Sequence, residues 1–401
     1  MTIGSEIIGN KKTHHQTAIP TEDSQPSQHL PQEIIFDILS RLPVKHLLRF
    51  RSVCRSWLSL ISNHQFVKSH LSIASNTSDQ RLVLNAYPSL TGLKSCSLDS
   101  VMEGKLPDNA VEFDYPSKEL NQFVYMVGSC GGLMCVATYI WDTDQRTIYL
   151  WNPSTRKSKR LPDLGVRRGW NCHDLYGFGF DESNDDYKVV LIFCNSGGGV
   201  SAERKVMVYT LRTDSWRQIG GISCDVPFGF IGKFLNGSIH WVVRDNSGSS
   251  YSSVNVIVSL DLEKETYNEV LLPNYGADVF HLELCVLKGS LGVLCMCRKN
   301  YTDVWIMKEY GTVSSWTKLF TIQDVAEAQK GPIPRFASIM CISNNGKYLI
   351  LFGQKFSIYS PKNGTSRNSI IRNWDPYFQI CTYVESLVSP NADNVVPRQH
   401  Q

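Results

Sequence analysis

From Tyr149 onward the chain repeats one local pattern: an apolar strand, a polar turn and a returning strand. The units are Tyr149–Arg156 returning through Lys159–Pro162, then Tyr209–Trp216, Leu260–Tyr267, Tyr310–Trp316, and a fifth opening at Tyr359. Positions 209, 260, 310 and 359 lie 51, 50 and 49 apart. A period near 50 with about four short strands per unit is the signature of propeller blades, which bury their faces against one another. Position 149 sits 60 before the second unit, so one unit holds an insertion, around Gly197–Ser201 or Asp163–His173. Extrapolation back to about residue 80 adds one more unit, for about six blades. A pair of β-sandwiches is the alternative architecture; the even period favours radial repetition.

The strands themselves are short runs rich in Val, Ile, Tyr, Phe and Trp with turn residues between them. They cover Leu82–Leu84, Leu133–Tyr139, Ile148–Trp151, Val189–Phe193, Val206–Tyr209, Ile239–Val243, Val254–Leu260, Val304–Met307, Tyr348–Phe352 and Phe356–Tyr359. Residues 80–385 are read as this β domain.

Ahead of it, residues 29–73 have a helical period. Ile34, Ile35, Ile38, Leu39 and Leu42 follow Pro31 along one wide helical stripe. Pro31 suits the first helical position. Pro43 stops that helix near Arg41 and opens a second with Val44, Leu47, Leu48 and Phe50. Ser52 suits an N-cap for a third helix, on which Val53, Trp57, Leu60 and Ile61 share a face. Asn63 is a stop signal, and Phe66–Leu71 forms a last turn or two. A unit this small cannot bury its apolar surface alone. The surplus includes Leu30, Pro31, Ile38, Leu39, Leu47, Val53 and Trp57. Burial of each large apolar side chain contributes roughly 1.5–3 kcal/mol. The surplus therefore either anchors a partner or packs the unit onto the rest of the chain as a structural cap.

The two Leu-Pro steps, Leu30-Pro31 and Leu42-Pro43, and the block Val53–Trp57 followed by Leu60 and Ile61 resemble an F-box along its full length. The resemblance implies docking to the Skp-type adaptor of cullin–RING ubiquitin ligases. Carried over by motif position, the adaptor-binding or module-core residues are Leu30, Pro31, Ile34, Ile38, Leu39, Leu42, Pro43, Leu47, Val53, Cys54 and Trp57. Six basic residues against two acidic ones bring the unit near +4, leaving the remainder near −1 in a chain of +3. A basic unit suits an acidic partner. Downstream, Gly128–Leu133, Trp151–Thr155, Tyr176–Asp181 running to Asp186–Val190, and Leu235–Trp241 resemble the plant F-box-associated domain, a kelch-like relative. The whole reads as an α+β multidomain chain, a helical F-box followed by an all-β propeller-like domain. The function implied is substrate recognition in an SCF-type ligase, with cullin and RING subunits reached through the adaptor and an unnamed target protein on the β domain.

No constellation for catalysis stands out, so the chain is expected to be a non-catalytic subunit. No cofactor, nucleic acid or membrane is expected. Cys295 and Cys297 lack a second pair at metal spacing and no Cys-x-x-Cys occurs, which argues against zinc. Gly197–Gly199 lacks the rest of a phosphate-loop signature. Arg156–Arg160 reads as a basic hairpin turn. His240 and His281 read as structural. A loop with Arg167, Arg168, Trp170 and His173 is the candidate for target binding. The competing reading is an enzyme or carbohydrate-binding propeller with a structural helical cap; a non-degradative scaffold is a third. Residues 1–28 and 391–401 are expected to be tails, polar and without a fixed fold. The first sixteen residues lack an apolar signal core, and no run reaches the roughly 18 apolar residues of a membrane span. Twelve scattered cysteines in this context read as reduced thiols of a cytosolic or nuclear protein.

Overall fold

The computed structural model describes residues 30–391 except 77–79, 87–91, 104–109, 117–121, 141, 144, 165–173, 194–203, 223–230, 246–253, 324–336, 344, 353–354 and 370–376. Four helices come first: α1 Gln32–Ser40, α2 Val44–Phe50, α3 Arg55–Ser62 and α4 His64–Asn76. Pro31 and Pro43 take the N-cap positions of α1 and α2, one residue earlier than the first-helical-position expectation. Their carbonyls accept the first helical N–H bonds, from Ile34 and Ile35 and from His46 and Leu47. The third helix does not start after Ser52. The carbonyls of Arg49 and Phe50 still hold the N–H groups of Ser52 and Val53 at 3.1 Å, so the chain becomes extended only at Cys54, the N-cap. Asn63 ends α3, and its side-chain oxygen caps the next helix by accepting the N–H of Gln65 at 2.8 Å. That helix, α4, runs for 13 residues, well past the turn or two expected.

Six four-stranded antiparallel sheets follow. After β1 Gln80–Ala86 and β2 Leu93–Ser97 comes a short α5 Leu98–Glu103, then β3 Val111–Phe113. The second blade holds β4 Gln122–Cys130, β5 Leu133–Ile140, β6 Gln145–Asn152 and β7 Lys157–Arg160. The third holds β8 Leu175–Asp181, β9 Asp186–Phe193, β10 Arg204–Thr210 and β11 Ser215–Ile222. The fourth holds β12 Lys233–Leu235, β13 Ser238–Asp245, β14 Val254–Asp261 and β15 Tyr267–Val270. The fifth holds β16 Val279–Leu287, β17 Ser290–Cys297, β18 Tyr301–Met307 and β19 Trp316–Gln323. The sixth holds β20 Ala337–Ile342, β21 Tyr348–Phe352, β22 Lys355–Ser360 and β23 Thr365–Ser369. The last strand, β24 Tyr377–Val384, returns to pair with β1, so the first blade reads β24-β1-β2-β3 and the ring closes.

The six-blade expectation holds, with one correction of register. The fourth hairpin does not turn at Tyr310: β18 ends at Met307, which pairs with Trp316, and Tyr310 lies in the longer connection beyond it. The repeat is clearest in the backbone. The turns between third and fourth strands place Arg156, Asp214, Glu265 and Gly364 at positive φ. The turns between first and second strands are two-residue hairpins with both residues at positive φ, at Gly131-Gly132, Asn236-Gly237 and Lys288-Gly289.

Second strands are buried on both faces because a blade packs on either side. All eight residues of β9 are buried. Leu175, Val190, Val206 and Val208 of the third blade meet Ile239, Trp241, Val256 and Val258 of the fourth. Close approach at this joint requires glycine. A Cβ on Gly179 would lie 2.3 Å from the Phe234 ring, and one on Gly177 would lie 2.8 Å from Ile239 and Trp241. Polar ties cross the same joint. The Trp241 indole N–H donates to the Tyr176 carbonyl at 3.0 Å, and the buried Lys188 ammonium reaches Asp181 at 2.8 Å, Glu265 at 3.3 Å and the Leu262 carbonyl.

The third blade carries two testable expectations. Gly179→Ala overpacks its joint with the fourth and costs about 1–3 kcal/mol, read as a lowered urea midpoint with an unchanged slope. The second concerns Asp186, whose carboxyl burial pushes up to about 6 although it accepts the Arg212 N–H. Its folded pKa lies above the unfolded one, so the native state binds the extra proton and stability falls as pH rises from about 4 to about 6. Asp186→Asn should remove that fall, at most about 3 kcal/mol, in denaturation series at the two pH values.

Candidate functional site

Burial divides the adaptor-binding candidates into two sets. Leu39 and Leu47 are 2% and 0% exposed, inside a core with Val44, Ile61, Phe66 and Val67. Both were expected among the surplus; they are module core instead. Leu42 and Trp57 are half-buried against the same core, Trp57 edge-on to Phe50 at 5.3 Å. The outward set is Leu30, Ile34, Ile38 and Val53, at 60%, 46%, 50% and 61% exposure, with Pro31, Pro43 and Cys54 also exposed. Residues 30, 34 and 38 are spaced by four, one stripe along α1 and its entry. Leu58, 46% exposed, was missed. Its signal was present, since it falls off the face that Trp57, Leu60 and Ile61 share. Cys54 sits at the start of α3 with its sulfur 3.1 Å from the Ser56 hydroxyl, which together with the Trp57 N–H lowers the thiol pKa.

The opposite side of the helical module meets the propeller. The segment after β24 crosses the seam. Leu387, 3% exposed, enters the helical core, and Val388 packs against both that core and the second and third blades. Ser386, just before them, is fully buried and bonded. Asn152, also fully buried, donates through its carboxamide to the Ser386 carbonyl at 3.0 Å and the Val388 carbonyl at 2.7 Å. The Asn152 oxygen caps its own turn by accepting the N–H groups of Ser154 and Thr155. The Ser386 hydroxyl donates to the Gly132 carbonyl at 3.1 Å, and a Cβ on Gly132 would collide with it at 2.1 Å. Lys68 and His64 of α4 approach Asp185 at 2.6 and 3.0 Å, but all three are partly exposed, so these pairs contribute at most about 1 kcal/mol each. A cleft of about 260 Å³ separates Leu42, Pro43, His70 and Ile73 from Arg81 and Glu385.

Antiparallel strands alternate direction, so the connections on the far end of the ring are those from β5 to β6, β7 to β8 and their equivalents. The loop candidates Arg167, Arg168, Trp170 and His173 belong to the connection from β7 to β8 and lie outside the described residues, as does Gly197–Gly199. The flanks of that connection line a small cleft of about 50 Å³ between the second and third blades. Its walls include Leu161, Pro162, Tyr176 and Trp216, with Asp174 paired to Arg146 at 2.7 Å.

Titratable groups elsewhere are built into the fold. His240 is fully buried, donates from Nδ1 to the Lys233 carbonyl, accepts the Tyr310 hydroxyl at 2.6 Å, and has its pKa pushed down to about 4 by burial. Burial also takes His281 to about 4. Lys233 and Glu283 pair at 3.6 Å between inner strands. Among the described residues no cluster of three metal-ligating side chains occurs, and the described cysteines are free thiols. Arg156–Arg160 forms a turn and outer strand, with Lys159 on Asp214 at 2.9 Å. No helix among the described residues is long and apolar enough to cross a membrane.

Comparison with known proteins agrees with this division. Residues 27–69 match the F-box domain, and residues 90–390 match the F-box associated beta propeller domain. An F-box/kelch-repeat protein of Arabidopsis thaliana is 31% identical over 385 residues, covering 92% of this chain and 98% of its own length. The F-box protein CPR1 of the same plant is 31% identical over 318 residues, 73% of each chain. A solved TolB from Acinetobacter baumannii matches at a TM-score of 0.45 and 10% identity over 79% of this chain and 72% of that one, too loose a likeness to bear on function. With the F-box and the ring both in place, the chain belongs to the F-box proteins that carry an F-box-associated β-propeller.

Proposed function

We propose that this protein is the substrate-recognition subunit of an SCF-type cullin–RING ubiquitin ligase, not itself catalytic, working in the cytosol or nucleus. The observation that carries the reading is the apolar stripe Leu30, Ile34 and Ile38 with Val53, each about half exposed or more on a domain of the F-box family. Exposed apolar side chains repeated along one helical stripe suit a partner site, and the partner is the Skp-type adaptor. Cullin and RING subunits are then reached through it. The propeller end away from the helices, where the connection from β7 to β8 lies, holds a target protein. The mechanism is proximity: holding a target lysine beside the ubiquitin-charged enzyme raises its effective concentration. The chain supplies position, and the chemistry belongs to its partners.

Ile34→Asp combined with Val53→Asp places charge on the stripe without touching the helical core. Co-purification with the adaptor should fall at least about a hundredfold, given roughly 1.5–3 kcal/mol per buried apolar side chain, while the thermal transition of the propeller stays unchanged. Retention of adaptor by the double variant refutes the reading.

A further inference from the structure

The first strand of the fifth blade enters the ring differently from its counterparts. β4 and β8 pair regularly with their second strands from the outset, and their entering residues are covered: Gln122 and Leu175 are buried, Phe123 and Tyr176 half-buried. In β16 the pairing runs from Val279 with Cys297 to His281 with Met296, so Phe280 is the extra residue of a β-bulge. A bulge re-aims the side chain it carries, and Phe280 is 41% exposed. It lies at the far end of the propeller, beside the connection from β15 to β16 and the turn from β17 to β18. That rim is held in place. The Arg298 N–H donates to the Asp278 carbonyl at 3.0 Å. Asn255 donates through its carboxamide to the Tyr275 hydroxyl at 3.3 Å, and Tyr275 and Val279 pack on the core shared by the fourth and fifth blades. The acid of the rim is already matched, since Asp278 pairs with Lys299 at 2.6 Å. Deeper in the ring Lys233 pairs with Glu283. Arg298 is exposed and, among the described residues, its guanidinium has no acidic partner.

We propose that Phe280 and Arg298 anchor the target at the far end of the propeller. The occupant is an extended acidic segment of a target protein, which sets an apolar side chain on Phe280 and a carboxylate on Arg298. Aromatic rings and arginine are the side chains that interfaces concentrate, and a guanidinium holds a carboxylate through two parallel hydrogen bonds. The bulge at Phe280 and the bond from Arg298 to Asp278 fix the backbone at both positions, which lowers the ordering cost of binding. The proposal rests on the reading above that the far end holds the target, and it names the chemistry of what is held there.

Selection from a displayed library of random peptides about twelve residues long, on the full-length chain, tests it. Selected peptides should carry Asp or Glu within about three residues of an apolar side chain. Phe280→Ala and Arg298→Glu should each weaken their binding at least about tenfold in fluorescence anisotropy, with the thermal transition of the chain unchanged. Exchange of the peptide's acid for Lys should restore binding to the Arg298→Glu chain, which a general loss of fold would not allow. Unchanged binding in either variant overturns the proposal. So does selection of peptides that lack an acid, or recovery of none tighter than about 100 μM. Amide protection by the bound peptides separates this proposal from the reading it rests on. Protection on other far-end connections, with both variants binding normally, sinks Phe280 and Arg298 alone. Protection confined to the sides of the ring or to the helices sinks both.

Discussion

The antiparallel pairing of β24 with β1 is the contact on which both ends of this molecule depend. It joins Val384 to Gln80 and runs through Ala86 with one bulge, closing six blades into a ring. It also ends where the strap of residues 385–388 begins, so the same strand that closes the propeller delivers Leu387 to the helices. Side contacts reinforce the closure: the Gln379 side-chain oxygen accepts the Met126 N–H at 2.7 Å, tying β24 to the second blade. Contacts this distant in sequence carry a loop-closure cost that they must offset. The helical module, first in sequence, takes one buried core residue, Leu387, from beyond the last strand.

The motifs that resemble the F-box-associated domain prove to be joint residues. Gly132 and Asn152 hold the strap. The Tyr187 hydroxyl donates to the Gly131 carbonyl at 2.8 Å, bridging the second and third blades. Lys188 and Gly179 join the third blade to the fourth, as does Trp241 from the other side. Packing between blades needs glycine where backbones approach and a buried polar group where a carbonyl would otherwise stay unpaired. Those requirements fall at fixed places in a blade, so they leave sequence marks even where strand lengths vary.

What was legible follows from burial. The apolar runs found from sequence are nearly all second and third strands, such as β5, β6, β9, β10, β13 and β14, enclosed on both faces by neighbouring blades. First strands were missed, two of them because glycines or brevity break the pattern. β8 carries Gly177 and Gly179, and β12 is only three residues long. Outer strands were read only as the returning arms of hairpins because they are half solvated: Lys157–Arg160 and Tyr267–Val270 have no apolar alternation to read. The candidate site shows the same limit more sharply. Ile38 and Leu39 are neighbours on one wide stripe, yet one is 50% exposed and the other 2%. What separates them is the side on which the other helices and Leu387 pack, and no local pattern around residue 38 can reveal that.

The seam also bears on how a target would be presented. A receptor module on a flexible tether samples a large volume, and its effective concentration falls as the tether lengthens. Here α4 ends at Asn76 and β1 begins at Gln80, leaving three residues between the helical module and the ring. Two ion pairs to Asp185 and the buried strap span the same joint. A single short connection would leave the propeller free to swing. Adding the strap supplies a second, buried point of attachment, and two separated attachments remove rotation that one cannot. On the proposed function, the direction in which the far end of the propeller holds its target relative to the adaptor is then a property of this chain, set by Leu387 and Ser386 as much as by the helices that touch the adaptor.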